Sequence, residues 1–111
     1  MKALTRLIFV DDNNEKFFGE GPYRLLRGVE ELGSLRASAV KMGMAYTKAL
    51  KLINNAEKEL GIKFTTRVVG GKSGGGSKLT DEGREWLTKY EKFRDACLKE
   101  NERLYREYYG E

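Results

Sequence analysis

The spacing of hydrophobic residues changes along this chain and predicts short strands first and helices afterwards. Residues 4–10 are β-prone and partly alternating, a polar turn follows at 11–14, and residues 16–18 can form the return strand of a hairpin. Pro22 follows a glycine-containing break and is suited to the first position of a helix. This helix ends at Gly33, and its apolar face comprises Leu25, Leu26, Val29 and Leu32.

Two further helices are predicted between Ser34 and Leu60. Ser34 can cap a short helix, and Gly43 allows a tight turn with a positive φ before the next helix, Ala45 to Leu60. The short helix turns Leu35, Ala39 and Met42 inward and Arg36 and Lys41 outward. The longer helix turns Ala49, Leu50, Ile53, Ala56 and Leu60 inward and Thr47, Lys48, Lys51, Asn54, Asn55 and Lys58 outward. Two helices joined by a short turn that contains glycine form a helix-turn-helix, here residues 34–60.

A glycine-rich hairpin and a long helix complete the pattern. Residues 62–69 are predicted as a strand, residues 70–77 contain five glycines, and residues 78–79 form a brief return strand. A basic ribbon that follows a helix-turn-helix is the wing of a winged helix. Thr80 is the expected N-cap of the last helix, Asp81 to Tyr108. Its apolar stripe contains Trp86, Tyr90, Phe93, Cys97, Leu104 and Tyr108, widened by Leu87, Leu98 and Tyr105.

These elements predict one domain over residues 1–111, mostly α with a small β component. The expected architecture is a winged helix-turn-helix with an N-terminal β-hairpin (1–18), three helices (21–60), a wing (62–79) and a long C-terminal dimerisation helix (81–108).

The composition argues against catalysis. The chain has no His and a single Cys, Cys97, so it can build neither a Cys/His metal cluster nor a His-based triad. We therefore expect no enzyme activity, no metal and no cofactor. A lone cysteine forms no internal disulfide, and the apolar run from Leu7 to Val10 is too short for a signal peptide or a membrane span. Residence in the cytoplasm, away from membranes, is the expectation.

The positive charge is concentrated in one block. Residues 33–80 contain nine Lys and Arg against two Glu, a net charge of +7, whereas the whole chain carries +4 and the remainder therefore −3. These lysines could be only a solvated surface. Their confinement to one supersecondary unit favours a surface that faces a polyanion such as double-stranded DNA.

The order of several short motifs resembles a known family. They are Gly21-Pro22, Glu31-Leu32-Gly33-Ser34-Leu35, Met42-Gly43-Met44-Ala45-Tyr46, Glu59-Leu60-Gly61, the glycine-rich residues 70–77, and Leu79-Thr80-Asp81-Glu82-Gly83. Residues 21–83 are similar to the N-terminal DNA-binding domain of ModE-type, molybdate-responsive transcription regulators, whose winged helix is LysR-like. The resemblance implies a regulator of molybdate transport or molybdenum metabolism genes.

The chain departs from that family at two points. The family usually has Ser at the position of Ala45, and loss of such a cap typically costs about 0.5–2 kcal/mol. The family's C-terminal molybdate-binding domains have no counterpart before the last residue, Glu111. The expectation is therefore a DNA-binding protein that does not itself sense molybdate, which leaves a separate effector-binding partner open.

Candidate DNA contacts follow from the predicted fold. The first turns of the recognition helix, residues 45–60, are expected to meet base edges in the major groove, and helix N-termini contact phosphates. The wing, residues 67–78, is expected to contact the DNA backbone or a minor groove. Lys48 or Lys51 can reach guanine, Thr47 a thymine methyl or a phosphate, and Tyr46 is either a contact or a core residue. The full set is Ser34, Arg36, Tyr46, Thr47, Lys48, Lys51, Asn55, Arg67, Lys72, Ser73 and Lys78.

The last helix predicts a homodimer. A helix of about 28 residues spans about 42 Å, which is longer than a domain of this size can cover. Its excess is expected to pack against a symmetry mate, and two-fold symmetry implies a roughly palindromic DNA site. The predicted interface residues are Phe93, Cys97, Leu98, Leu104, Tyr105 and Tyr108.

Two other functions were weighed. Gly71-Lys72-Ser73 matches the end of a phosphate-binding P-loop, but Thr66 stands where the pattern needs glycine and three glycines follow Ser73 instead of a helix. The stronger alternative is a winged-helix protein-interaction module that binds no DNA. Acidic residues on the outward face of the third helix would favour that module, and this face carries Lys and Asn instead.

Overall fold

A computed structural model describes residues 1–69 and 76–110. The predicted class, mostly α with a small β component, is confirmed. In chain order the elements are β1 (Phe9–Val10), β2 (Lys16–Phe18), α1 (Glu20–Leu32), α2 (Leu35–Lys41), α3 (Tyr46–Leu60), β3 (Thr65–Val68), β4 (Gly76–Leu79) and α4 (Asp81–Tyr109). The strands form two separate antiparallel hairpins, β1–β2 and β3–β4.

The N-terminal hairpin is shorter than predicted. The expected strand over residues 4–10 is reduced to Phe9–Val10, because β2 has only three residues with which to pair. The preceding residues lie along α4 instead. The Tyr105 hydroxyl donates a hydrogen bond to Met1 O at 2.7 Å, and Asn101 Nδ2 donates to Ala3 O at 2.9 Å.

Helix α1 begins at Glu20, two residues before the predicted start at Pro22. The missing N–H of Pro22 carries no penalty there, because amides in a first helical turn have no intrahelical acceptor. Leu25, Leu26 and Val29 are fully buried, as predicted. Leu32 was predicted on the same apolar face, but it is 41% exposed and lies outside the core. Position 33 adopts the expected left-handed conformation.

The local signals around α2 and α3 are confirmed. Ser34 Oγ accepts a hydrogen bond from Ala37 N at 3.0 Å, and Gly43 has a φ of 66°. Ala45 is the N-cap of α3, and its side chain makes no cap hydrogen bond. The hydrogen bond that a serine would make at this position is therefore absent. Helix α2 also packs closely on α1, because Ser38 Oγ lies where Gly28 would carry a Cβ.

An aromatic cluster joins the N-terminal hairpin to α4 and the approach to β3. Phe18 and Phe64 are fully buried and stacked, with ring centroids 6.0 Å apart. Trp86 meets Phe18 edge-on at 4.4 Å and is stacked on Tyr90 at 5.9 Å. Such pairs contribute about 0.5–1.5 kcal/mol each beyond the area they bury. Burial raises the pKa of Tyr90 to about 12.

The β3–β4 hairpin is fixed to the helices at its base and along one strand. Strand β3 begins at Thr65, three residues later than predicted, because the amides of Lys63 and Phe64 donate to the carboxylates of Glu82 and Glu57. Strand β4 begins at Gly76, earlier than predicted, and Ser77 N donates to Gly33 O at 2.9 Å. Gly76 lies so near Gly33 O that a Cβ would overlap this oxygen.

Helix α4 is the longest element. Thr80 Oγ1 accepts from Gly83 N at 2.9 Å, which confirms the predicted cap. The 29 residues of α4 span about 43 Å and set the longest dimension of the molecule, 57 Å. Arg84 Nε lies 2.9 Å from a Glu30 oxygen on α1, and this hydrogen bond lowers the pKa of Glu30. Within residues 1–69 and 76–110 no helix has the length and apolar character needed to cross a membrane.

Two glycines in first helical turns provide a matched test of packing. In Gly83→Ala the new Cβ would lie 2.9 Å from the Phe64 backbone, which cannot move without displacing the start of β3. We expect a loss of about 1–3 kcal/mol in the free energy of unfolding, as for other overpacked sites. Gly21→Ala in α1 meets no atom within 4 Å and should leave stability unchanged or raise it by up to about 1 kcal/mol. Urea denaturation of both variants measures this, and equal effects would contradict the packing at Gly83.

Candidate nucleic-acid interface

Helix α3 presents a polar face to solvent. Ala49, Ile53 and Ala56 are buried on its opposite side, as the sequence pattern predicted. The exposed residues are Thr47, Lys48, Lys51, Asn54, Asn55 and Lys58. Their spacing confines them to about one third of the helix circumference, because each residue advances by about 100°. Glu59, in the last turn of α3, is also exposed and lies at the edge of this face, and the other residues of the face carry no negative charge.

A groove of about 620 Å³ lies between the starts of α2 and α3 and the β3–β4 hairpin. Ser34, Arg36, Tyr46 and Arg67 line it, so four of the predicted DNA contacts come together at one place. The floor is formed in part by the Gly33–Gly76 contact that fixes the hairpin to the helices.

Arg36 is stacked on Tyr46 in this groove. The guanidinium carbon of Arg36 is 4.0 Å from the centre of the Tyr46 ring, the shortest of the four cation–π contacts among the described residues. Tyr46 is half-buried and packs against the core, so it is neither a fully buried residue nor a freely exposed one. This pair is not predictable from the sequence, because no local pattern joins a residue of α2 to the first residue of α3.

The basic residues of the hairpin lie on different faces. The register pairs Arg67 with Ser77 and Thr66 with Lys78. Because successive side chains of a strand alternate, Arg67 lies on the groove side and Lys78 on the outer side of the hairpin. Lys72 and Ser73, also predicted as contacts, lie outside the described residues.

Charge compensation differs between the two sides of the molecule. Among the described residues, Arg36, Lys48, Lys51, Arg67 and Lys78 have no carboxylate within ion-pair distance. The arginines of α1 and α4 all have one, whereas the α4 lysines Lys89, Lys92 and Lys99 do not. Arg94, for example, pairs with Glu20 at 3.1 Å and Asp95 at 3.1 Å. Lys63 pairs with Glu57 at 3.7 Å, but the five cations of α2, α3 and the hairpin named above have no ion pair among the described residues.

The predicted dimer residues occupy the second half of α4. Phe93, Leu98, Leu104 and Tyr108 are exposed by 40–75%, and Cys97 and Tyr105 are partly buried. Part of this surface is already contacted by the same chain, because Tyr105 binds the backbone of Met1. The N-terminal segment itself adds exposed apolar side chains, Met1, Leu4 and Ile8, which the sequence analysis did not include.

Among residues 1–69 and 76–110, no three His, Cys, Asp or Glu side chains gather in an arrangement that could hold a metal ion.

Comparison with known proteins gives one informative similarity. No family model matches the chain. The molybdenum transport protein ModE of Azotobacter vinelandii is 34% identical to this chain over 67 residues. The match covers 60% of this chain and 25% of that relative, so the chain spans about a quarter of the relative's length. The similarity supports a ModE-like relationship for this chain.

Proposed function

We propose that this chain is a winged helix-turn-helix domain that binds double-stranded DNA as a transcription regulator. The observation that carries the proposal is the uncompensated positive surface formed by α3 and the β3–β4 hairpin. Arg36, Lys48, Lys51, Arg67 and Lys78 have no carboxylate partner, so a bound polyanion would gain favourable electrostatic energy from each of them. The proposed gene class, molybdate transport or molybdenum metabolism, rests on the ModE-like relationship alone.

Helix α3 is the proposed recognition helix. The major groove of B-DNA is about 12 Å wide and accepts one α-helix. Thr47, Lys48 and Lys51 lie on the first two turns of α3 and are exposed, and Asn55 lies one turn further. In this orientation Lys48 or Lys51 binds guanine O6 and N7, and Thr47 contacts a thymine methyl or a phosphate.

The remaining predicted residues are assigned to the DNA backbone. Arg36 and Arg67 line the groove beside α3, where the strand of a duplex seated on that helix would pass. Ser34 Oγ already accepts the cap hydrogen bond of α2, so its hydroxyl hydrogen is the part left for a phosphate. Lys78 can contact phosphate only from the outer side of the hairpin. Lys72 and Ser73 are assigned to the DNA backbone on sequence grounds alone.

We further propose that two copies pair through the second half of α4. A single module of this size buries modest DNA surface, and two copies on a two-fold axis double the recognised sequence. Phe93, Cys97, Leu104 and Tyr108 lie on one side of α4 at 3/4 spacing, and Phe93, Leu104 and Tyr108 keep 40% or more of their surface exposed. The exposed side chains of Met1 and Leu4 extend this apolar surface.

The alternative function is a protein-interaction module. It predicts no affinity for duplex DNA at any salt concentration. The DNA-binding proposal instead predicts retention that weakens steeply with salt, because each neutralised phosphate contributes about −0.9 to the slope of log affinity against log salt.

Arg67→Ala tests the assignment of the hairpin. Loss of one phosphate contact should reduce the magnitude of this slope by about 0.9 and weaken binding to all sequences alike. Fluorescence anisotropy with a labelled duplex of mixed sequence, over a salt series, measures both quantities. Lys89→Ala, which removes an exposed cation from α4, is the control and should change neither. Equal effects of the two substitutions would refute the assigned face.

Leu104→Glu tests the dimer. A carboxylate in the apolar interface would lose its hydration without gaining a partner. The dissociation constant of the dimer should therefore rise by more than about tenfold. Sedimentation velocity over a concentration series gives the dissociation constant. Val40→Glu places the same charge at an exposed apolar residue of α2, away from the proposed interface. As the control, it should leave the dissociation constant of the dimer unchanged. A monomeric unmodified chain at all concentrations would rule out this interface.

A further inference from the structure

We propose that Tyr46 acts as a positioning residue for Arg36, and that the stacked pair forms a preset clamp for one DNA phosphate. This inference rests on the proposed DNA-binding function and deepens it. It also resolves the role of Tyr46, which supports a phosphate contact and does not read a base.

The geometry of the stack carries the proposal. The guanidinium carbon of Arg36 lies over the Tyr46 ring, 4.0 Å from its centre, which is well inside the limit of about 6 Å for a cation–π contact. Tyr46 is the first residue of α3 and packs against the core, so its ring is held on one side by the fold. The ring thereby gives a mobile arginine a fixed surface.

The hydrogen-bonding groups of Arg36 remain available. A stacked guanidinium keeps its N–H donors in its own plane, directed away from the ring. Among the described residues these donors have no protein acceptor, in contrast to Arg27, Arg84 and Arg94, which bind carboxylates. A phosphate accepts two parallel N–H bonds from such a group, which a lysine in the same place cannot offer.

A purely structural role explains these observations less well. If the pair served only to join α2 to α3, the contact would be one of several, since Leu35, Ala39, Ala49 and Ile53 already pack these helices into the core. Arg36 itself is exposed and lines the groove together with Arg67. Two arginines facing one groove without a carboxylate favour an oxyanion between them.

The energetic benefit is preorganisation. A free arginine side chain samples many rotamers and loses that freedom when it binds a phosphate. Stacking on Tyr46 restricts the side chain before DNA arrives, so less freedom is lost on binding. The effect concerns any duplex, because a phosphate contact carries no sequence information.

The test is a double-mutant cycle on the full chain, with the labelled mixed-sequence duplex as the probe. Tyr46→Leu removes the ring and should weaken binding by about three- to tenfold, whereas Tyr46→Phe keeps the ring and should bind like the unmodified chain. In the background of Arg36→Gln, Tyr46→Leu should have little further effect. Arg36→Gln should also reduce the magnitude of the salt slope by about 0.9.

The outcomes separate the two proposals. If Tyr46→Leu weakens binding equally with and without Arg36, or if Tyr46→Phe is as defective as Tyr46→Leu, the clamp is refuted while DNA binding stands. If Tyr46→Leu changes the preferred sequence in a selection from random duplexes, Tyr46 reads a base and the inference is overturned. If the unmodified chain binds no duplex at any salt concentration, both proposals fall. Circular dichroism of each variant checks that α2 and α3 remain folded, and Tyr46→Phe keeps the comparison valid if Tyr46→Leu does not fold.

Discussion

The position of the β3–β4 hairpin depends on backbone contacts, and the proposed interface depends on that position. Ser77 N donates to Gly33 O, and Thr80 N donates to Phe64 O, so one strand is attached to the α1–α2 junction and the base to the aromatic core. Only glycine fits at position 76, because a Cβ there would overlap Gly33 O. These contacts involve no flexible side chain, and they hold Arg67 beside Arg36 whatever the rotamers of either arginine. The groove is thus a consequence of main-chain packing.

The division of charge follows from the same arrangement. Helices α1 and α4 lie against one another and form ion pairs, such as Arg84 with Glu30 and Arg94 with Glu20, so the arginines of this side are paired with acids. Glu57, an acid of α3, is turned inward and accepts the amide of Phe64, which removes it from the exposed helix face. The exposed residues that remain are lysines, asparagines and Thr47, with Glu59 as the one exposed acid of α3, in its last turn. The exposed pairs contribute little stability, about 0–1 kcal/mol each, so their main effect is on the electrostatic potential of each side.

Local sequence signals predicted the local structure, and long-range contacts decided the rest. Ser34 and Thr80 cap their helices and Gly43 has a positive φ, as predicted. These features were predictable because each depends only on residues within one turn. The limits of β1 and β3 could not be predicted from the sequence, because they depend on contacts with distant residues. The amide of Phe64 donates to the Glu57 carboxylate, and the N-terminal residues lie along α4. The outward face of α3 was predicted correctly from periodicity. The Arg36–Tyr46 stack was not, because its partners lie on different helices.

Helix α4 connects the two proposed interfaces mechanically. Its first half is part of the core through Leu87 and Tyr90, and its N-cap residue, Thr80, donates its amide to the base of the hairpin. Its second half carries the exposed apolar stripe. A continuous helix of about 43 Å connects the orientation of its two halves, because each turn is hydrogen-bonded to the next. If two copies pair through the second halves, the separation of their α3 helices depends on α4 and on how the two copies of α4 cross. Under the proposed function, the spacing of the two DNA half-sites is therefore determined by the length of this helix and the angle at which it crosses its mate.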